Sequence, residues 1–175
     1  CHAFLSLNND LKKYLIIDFP EMLSLSSRYL KRVLDNKNFK KVSFIDANQN
    51  LDNITELNLK NCLTININSF NEMSDDAFSI YIELINEIGG FFYTKNPVAK
   101  FNDPEITTNI KRKRIALNTG QIKKIINIFN EKELNKAKRN YVQTYLPSTK
   151  WKIISTKFSR PLIYYLQTLY EKKNN

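Results

Sequence analysis

Glycine is almost missing from this chain. Only Gly89, Gly90 and Gly120 occur in 175 residues, against a usual ~7%. Phosphate-cradling loops and dinucleotide fingerprints both need several clustered glycines, so neither is present. A single histidine, His2, leaves no His-rich zinc set and argues against a Ser-His-Asp triad. Two cysteines, Cys1 and Cys62, supply neither a disulfide framework nor a metal set, and no metal is expected. No apolar run approaches the roughly 20 residues of a membrane span. No signal peptide is visible, so the cytoplasm is the default expectation. Acidic residues are also scarce: 17 against 27 Lys and Arg, for a net charge of +10.

What is present is enough for a core. Hydrophobic residues make up 42% of the chain and aromatics 12%, which argues against disorder. The length suits one domain, taken as residues 1–175. The positive charge invites a nucleic-acid reading. However, only Lys111 to Arg114 form a dense run, and Lys123, Lys124, Lys136, Lys138 and Arg139 follow at looser spacing. The aromatic residues fall in core stripes and do not interleave with the basic ones. That pattern favours a solvated face over a nucleic-acid surface.

Along the chain, Tyr14 to Ile17 is a short apolar run ending in Asp18-Phe19-Pro20, which reads as a buried parallel strand. Pro20 suits the first turn of a helix. Met22, Leu25, Tyr29, Leu30 and Val33 then recur at helical spacing, giving an amphipathic helix to about residue 35. Residues 35–38 read as a turn. Lys41 to Ile45 is a second strand ending at Asp46, and Cys62 to Ile67 is a third. Ser74 can cap a helix whose stripe runs Ala77, Ile80, Tyr81, Leu84, Ile85 and Ile88. Gly89-Gly90 ends it through a left-handed cap, and Phe91 to Thr94 is the fourth strand. Residues 99–118 read as a loop. Ile122, Ile125, Ile126 and Phe129 suggest a short helix, residues 132–145 another, and Trp151 to Ser155 a strand. Residues 162–170 fit a helix or a buried strand. Strands and helices alternating in this way predict an α/β domain with a largely parallel sheet, whose ligand edge lies at the strand carboxyl ends.

Two polar clusters sit at predicted strand exits. Asp18, in Ile16-Ile17-Asp18-Phe19-Pro20-Glu21, can accept hydrogen bonds from both ribose hydroxyls of a nucleotide, or can cap the next helix. Asn66 to Ser74 (Asn-Ile-Asn-Ser-Phe-Asn-Glu-Met-Ser) can line a cleft, or can be a loop whose side chains serve its own backbone.

Taken in order, Asp-Phe-Pro-Glu, a strand ending in Asp, the Asn-Ser-Phe-Asn-Glu-Met-Ser segment, a helix, Gly-Gly and a strand resemble S-adenosylmethionine-dependent methyltransferases. The resemblance is to the bacterial sugar O-methyltransferases of surface-polysaccharide biosynthesis, and it spans roughly residues 1–100. It implies a Rossmann-like, mostly parallel sheet closed by a C-terminal antiparallel hairpin, formed here by Trp151 to Ser155 and Leu166 to Lys172. It implies S-adenosylmethionine as cofactor and a sugar or glycan hydroxyl as acceptor. Asp18 would hold the ribose, with Phe19 beside the adenine. Asp46 and Ala47 would sit by the adenine amine, and Asn66 and Asn68 below the methionine part. Asn71 falls where small-molecule relatives carry a catalytic histidine. Since asparagine is no useful base, Glu72 becomes the candidate base, its plain structural role being to cap or brace the loop. Asn71 and Asn96 are candidate acceptor contacts, Asn96 with an equal reading as a turn residue before Pro97.

The resemblance is incomplete. The family's first strand and glycine-rich turn have no counterpart, and residues 1–8 look like the tail of the helix that follows them. An N-terminally truncated domain is therefore expected, binding cofactor weakly. The alternatives are a non-catalytic methyltransferase-like scaffold and a basic nucleic-acid-binding module.

Overall fold

A computed structural model describes residues 1–8, 10–49, 51, 54–55, 59, 61–101, 118–161 and 164–173. The dense basic run at 111–114 lies outside the described residues. The chain forms two compact units, Cys1–Asn53 and Ile54–Asn175.

In the first unit the order is α1 (His2–Leu7), β1 (Tyr14–Asp18), α2 (Pro20–Val33), α3 (Asn36–Phe39) and β2 (Val42–Asp46). β1 and β2 pair in parallel, with Tyr14 opposite Val42 and Asp18 opposite Asp46. Pro20 opens α2 where its missing N–H costs nothing. Asp35 caps α3, its carboxylate accepting from the Asn38 N–H at 2.7 Å, so the expected turn is a one-turn helix. Leu5, Leu30 and Leu34 form the core, with Tyr14, Ile16, Val42 and Phe44 packed on it. The apolar stripe of α2 is only partly used: Leu30 is buried, while Met22, Leu25 and Tyr29 remain 47%, 61% and 54% exposed.

The second unit contains β3 (Leu63–Ile67), α4 (Asp75–Ile88), β4 (Phe91–Pro97), β5 (Lys100–Phe101), β6 (Ile125–Ile126), α5 (Glu131–Thr144), β7 (Trp151–Phe158) and β8 (Tyr165–Lys172). Its main sheet has the order β3-β4-β8-β7. β3 and β4 are parallel, and β8 runs antiparallel to both β4 and β7. β5 and β6 make a separate parallel pair.

The expectation of one mostly parallel, Rossmann-like sheet is thereby overturned. The chain is α/β, but hydrogen bonding gives a two-stranded parallel sheet in the first unit and a mixed four-stranded sheet in the second. The reason lies in β4 and β8. Phe92, Thr94 and Asn96 alternate along β4, and Tyr170, Thr168 and Leu166 face them across the antiparallel register. All six are buried, and the rings of Phe92 and Tyr170 stack at 5.7 Å. Alternating strands and helices identify strands without fixing their neighbours; side-chain register selects the partner.

The helix expected around Ile122 to Phe129 is also corrected. Ile125 and Ile126 form β6, held by the Lys100 N–H donating to the Lys124 carbonyl at 2.9 Å. Ile126 is buried and Ile125 exposed, the period-two signature of a strand. The ambiguous C-terminal segment is a strand from Tyr165.

Around the sheet, Phe70, Phe78, Ile85, Tyr141, Tyr145 and Trp151 pack into the core. The Trp151 indole N–H donates to Asn86 Oδ1 of α4 at 3.0 Å, and the Tyr170 hydroxyl to the Val142 carbonyl of α5 at 3.0 Å. Gly90 makes the turn from α4 into β4 at φ 76°, with the Cys62 carbonyl oxygen only 2.3 Å from where a Cβ would stand. Gly90→Ala therefore meets both a left-handed backbone and a backbone clash. It should cost about 2 kcal/mol or more, read as a lower urea midpoint with an unchanged slope.

Candidate functional site

In the first unit, the paired strands deliver Asp18 and Asp46 side by side at their carboxyl ends. Each carboxylate spends Oδ1 on its own loop: Asp18 accepts from the Phe19 N–H at 2.8 Å, and Asp46 from the Asn48 N–H at 2.9 Å. The Asp18 carbonyl accepts from the Ala47 N–H at 2.9 Å, tying the two exits together. Neither Oδ2 has a hydrogen-bond partner among the described residues. Phe19 is 57% exposed, an aromatic face open to solvent next to Asp18 in sequence.

In the second unit, the β3 exit forms a braced loop. The Asn66 amide donates to Ser69 Oγ across the turn. Asn68 takes φ 62°, a left-handed conformation that asparagine tolerates better than most residues. Its N–H donates to the Lys95 carbonyl at 2.9 Å, and its Oδ1 accepts from the Tyr165 hydroxyl at 2.9 Å. The Lys100 ammonium donates to Asn71 Oδ1 at 3.0 Å and to its carbonyl at 3.3 Å. Gly120, at φ 70°, donates its N–H to the Met73 carbonyl at 2.9 Å. A Cβ at Gly120 would stand 2.4 Å from the Asn71 carbonyl oxygen, so only glycine permits this approach.

Glu72 is exposed at the apex of this loop. Its N–H donates to the Ser69 carbonyl at 3.0 Å, but its carboxylate bonds to none of the described residues. Its charge is nevertheless felt by two neighbours. Burial lowers the Lys100 ammonium from its ordinary value, and Glu72 opposes that shift. Burial raises the Tyr165 phenol, with Tyr164 and then Glu72 adding to it. The helix-capping role open to Glu72 is filled by Ser74, whose Oγ accepts from the Ala77 N–H at 3.3 Å.

Asn96 is completely buried, and its amide nitrogen donates to Asn66 Oδ1 at 2.9 Å and to Thr94 Oγ1 at 2.8 Å. Its Oδ1 has no partner among the described residues. Asn66 is also buried, at 7% exposure. The structure thus puts Asn68, Asn71 and Glu72 on the loop that follows β3, with Asn66 at the end of β3 and Asn96 behind it as internal support. Sequence reasoning missed Lys100, Tyr165 and Gly120. Gly120 was the legible one: an isolated glycine in a chain nearly without them marks a close backbone approach. Lys100 and Tyr165 carry no local signal, because their partners lie 29 and 97 residues away.

The loop's support ends on Tyr141, whose hydroxyl lies 3.2 Å from Thr94 Oγ1 and accepts from the Asn96 N–H at 3.0 Å. Burial pushes its phenol up to about 12. Tyr145 and Tyr170 are raised for the same reason. An unfolded tyrosine titrates near 10, so the folded state holds these protons longer than the unfolded chain does. Stability is then fully present below about pH 10 and is lost as pH rises toward about 12. Tyr141→Phe should cost about 1–3 kcal/mol at neutral pH, by stranding the buried Asn96 N–H. It should also flatten the alkaline loss; urea unfolding at pH 7 and near pH 11 checks both.

Among the described residues, no group of His, Cys, Asp and Glu is placed to hold a metal ion, and no helix is long and apolar enough to cross a membrane. Comparison with known proteins finds no matching family model and no matching curated protein.

Proposed function

We propose that this chain is an S-adenosylmethionine-dependent O-methyltransferase acting on a sugar hydroxyl of a glycan or surface-polysaccharide precursor. The observation that carries the reading is the pair Asp18 and Asp46. They are register partners at adjacent parallel strand ends, and each has one carboxylate oxygen unspent among the described residues. A ribose diol presents two donors that an unspent carboxylate oxygen can accept. The adenine face can lie on the exposed Phe19 ring, and its amine can donate toward Asp46 beside Ala47.

The methyl donor supplies an electrophilic carbon on a sulfonium. In the transfer, the sugar oxygen forms a bond to that carbon. The carbon–sulfur bond breaks, and its electron pair stays on sulfur. The hydroxyl proton must leave, and Glu72 is the acceptor proposed. Its carboxylate is exposed and makes no hydrogen bond among the described residues. The bracing of Asn68, Asn71 and Met73 holds the backbone on both sides of Glu72. General-base help of this kind is worth about 10²–10⁴-fold.

The test begins with binding. S-adenosylhomocysteine at high concentration should shift the amide resonances of Asp18, Phe19, Asp46 and Ala47, and Asp18→Asn should abolish those shifts. Shifts elsewhere only, or none, contradict the cofactor assignment. Glu72→Gln should keep the shifts and lower methyl transfer to sugar acceptors by at least about 10²-fold. Unchanged turnover contradicts the base.

A further inference from the structure

Beneath α5, in the second unit, lies a cavity of about 150 Å³ remote in sequence from the loop that carries Glu72. Its floor is Val98, Ile122 and Ile126, all buried, roofed by Ala137. The gap has a simple origin. Glu133, Lys136, Ala137 and Asn140 share one face of α5 at spacings of three and four. Only Ala137 of these is apolar, and its side chain is a single methyl. The space opens to solvent past exposed Lys124 and Lys136, and its apolar part has room for a guest about the size of benzene.

The rim gives that guest a charge. Lys124 and Lys136 line the mouth, and neither side chain is paired among the described residues, whose ion pairs are Lys123 with Asp75 and Lys152 with Glu171. The one rim carboxylate is committed elsewhere. Glu133 accepts from the Asn127 N–H at 3.1 Å and from the Asn130 amide at 3.2 Å, as part of the α5 N-terminus. The Asn140 amide adds a neutral donor at the mouth. An apolar floor under two uncommitted ammonium groups is complementary to a hydrophobic anion.

We infer that this cavity binds a small hydrophobic monocarboxylate, a ring or branched chain of benzoate size. Its body fills the space under Ala137, and its carboxylate sits between Lys124 and Lys136. The site is independent of methyl transfer and stands whether or not Asp18 binds a nucleoside.

Benzoate, titrated to about 10 mM into the full chain to cover the affinity expected of so small a ligand, should give saturable amide shifts at Val98, Ile126 and Ala137. Toluene should bind more weakly. Lys124→Gln and Lys136→Gln should each weaken benzoate about threefold or more. Ala137→Leu, which fills the space, should abolish the shifts; the two lysine variants carry the test should that substitution disturb folding. Absence of saturable shifts overturns the inference, as does benzoate binding that survives unchanged in a folded Ala137→Leu chain. Equal affinity for toluene and benzoate, or lysine variants that bind as the parent does, overturns the carboxylate assignment.

Discussion

The second unit is organised by the need of two buried polar side chains for partners. Thr94 and Asn96 point inward from β4 into a face otherwise filled by rings and aliphatic groups. A polar group taken from water without a hydrogen bond costs several times what a made bond returns. Tyr141, reaching down from α5, bonds to the Thr94 hydroxyl and the Asn96 backbone N–H with one hydroxyl, while the Asn96 amide nitrogen donates to Asn66 and Thr94. That contact fixes the helix on the sheet at one place, where apolar packing alone would tolerate sliding. Tyr170 adds a second tether from β8 to α5, so the helix is pinned to two neighbouring strands.

The same requirement extends outward to the loop. Asn96 donates to Asn66, and Asn66 donates to Ser69. Hydrogen bonds therefore run from the core helix, through the ends of β4 and β3, into the turn that follows β3. Tyr165, Lys100 and Gly120 close on that turn from three other segments. What the bracing leaves free is the side chain of Glu72. A carboxylate carried on a fixed backbone, but not itself bonded, can meet a ligand without first breaking a protein hydrogen bond.

Local elements were legible because their signals are local. Ser74 caps α4, Gly89 ends it, and Pro20 begins α2, each through chemistry within one turn of chain. Asp18 and Asp46 could be foreseen as strand ends because apolar runs stop at them. Sheet membership was not legible. The partner of β4 is chosen by the match of Phe92, Thr94 and Asn96 to Tyr170, Thr168 and Leu166 far along the chain, and no spacing rule reports that match. The stripe of α2 misled in a related way. Met22, Leu25 and Tyr29 share helical periodicity with Leu30, but they lie on a part of the surface the first unit leaves uncovered. Periodicity shows that a helix has an apolar side, and packing decides how much of it is covered. Asn96 reads in sequence as an acceptor contact or, equally, as a turn residue before Pro97; it is a buried strand residue paired in register with Leu166.

The central claim is that the loop after β3, through Met73, is a rigid extension of the sheet, with the Glu72 carboxylate left unbonded among the described residues. Native-state hydrogen exchange tests it most directly. The amides of Asn68 and Glu72 donate to the Lys95 and Ser69 carbonyls. They should exchange at least about a hundredfold more slowly than in an unstructured peptide. Exchange at the unstructured rate, with β4 still protected, would contradict the account.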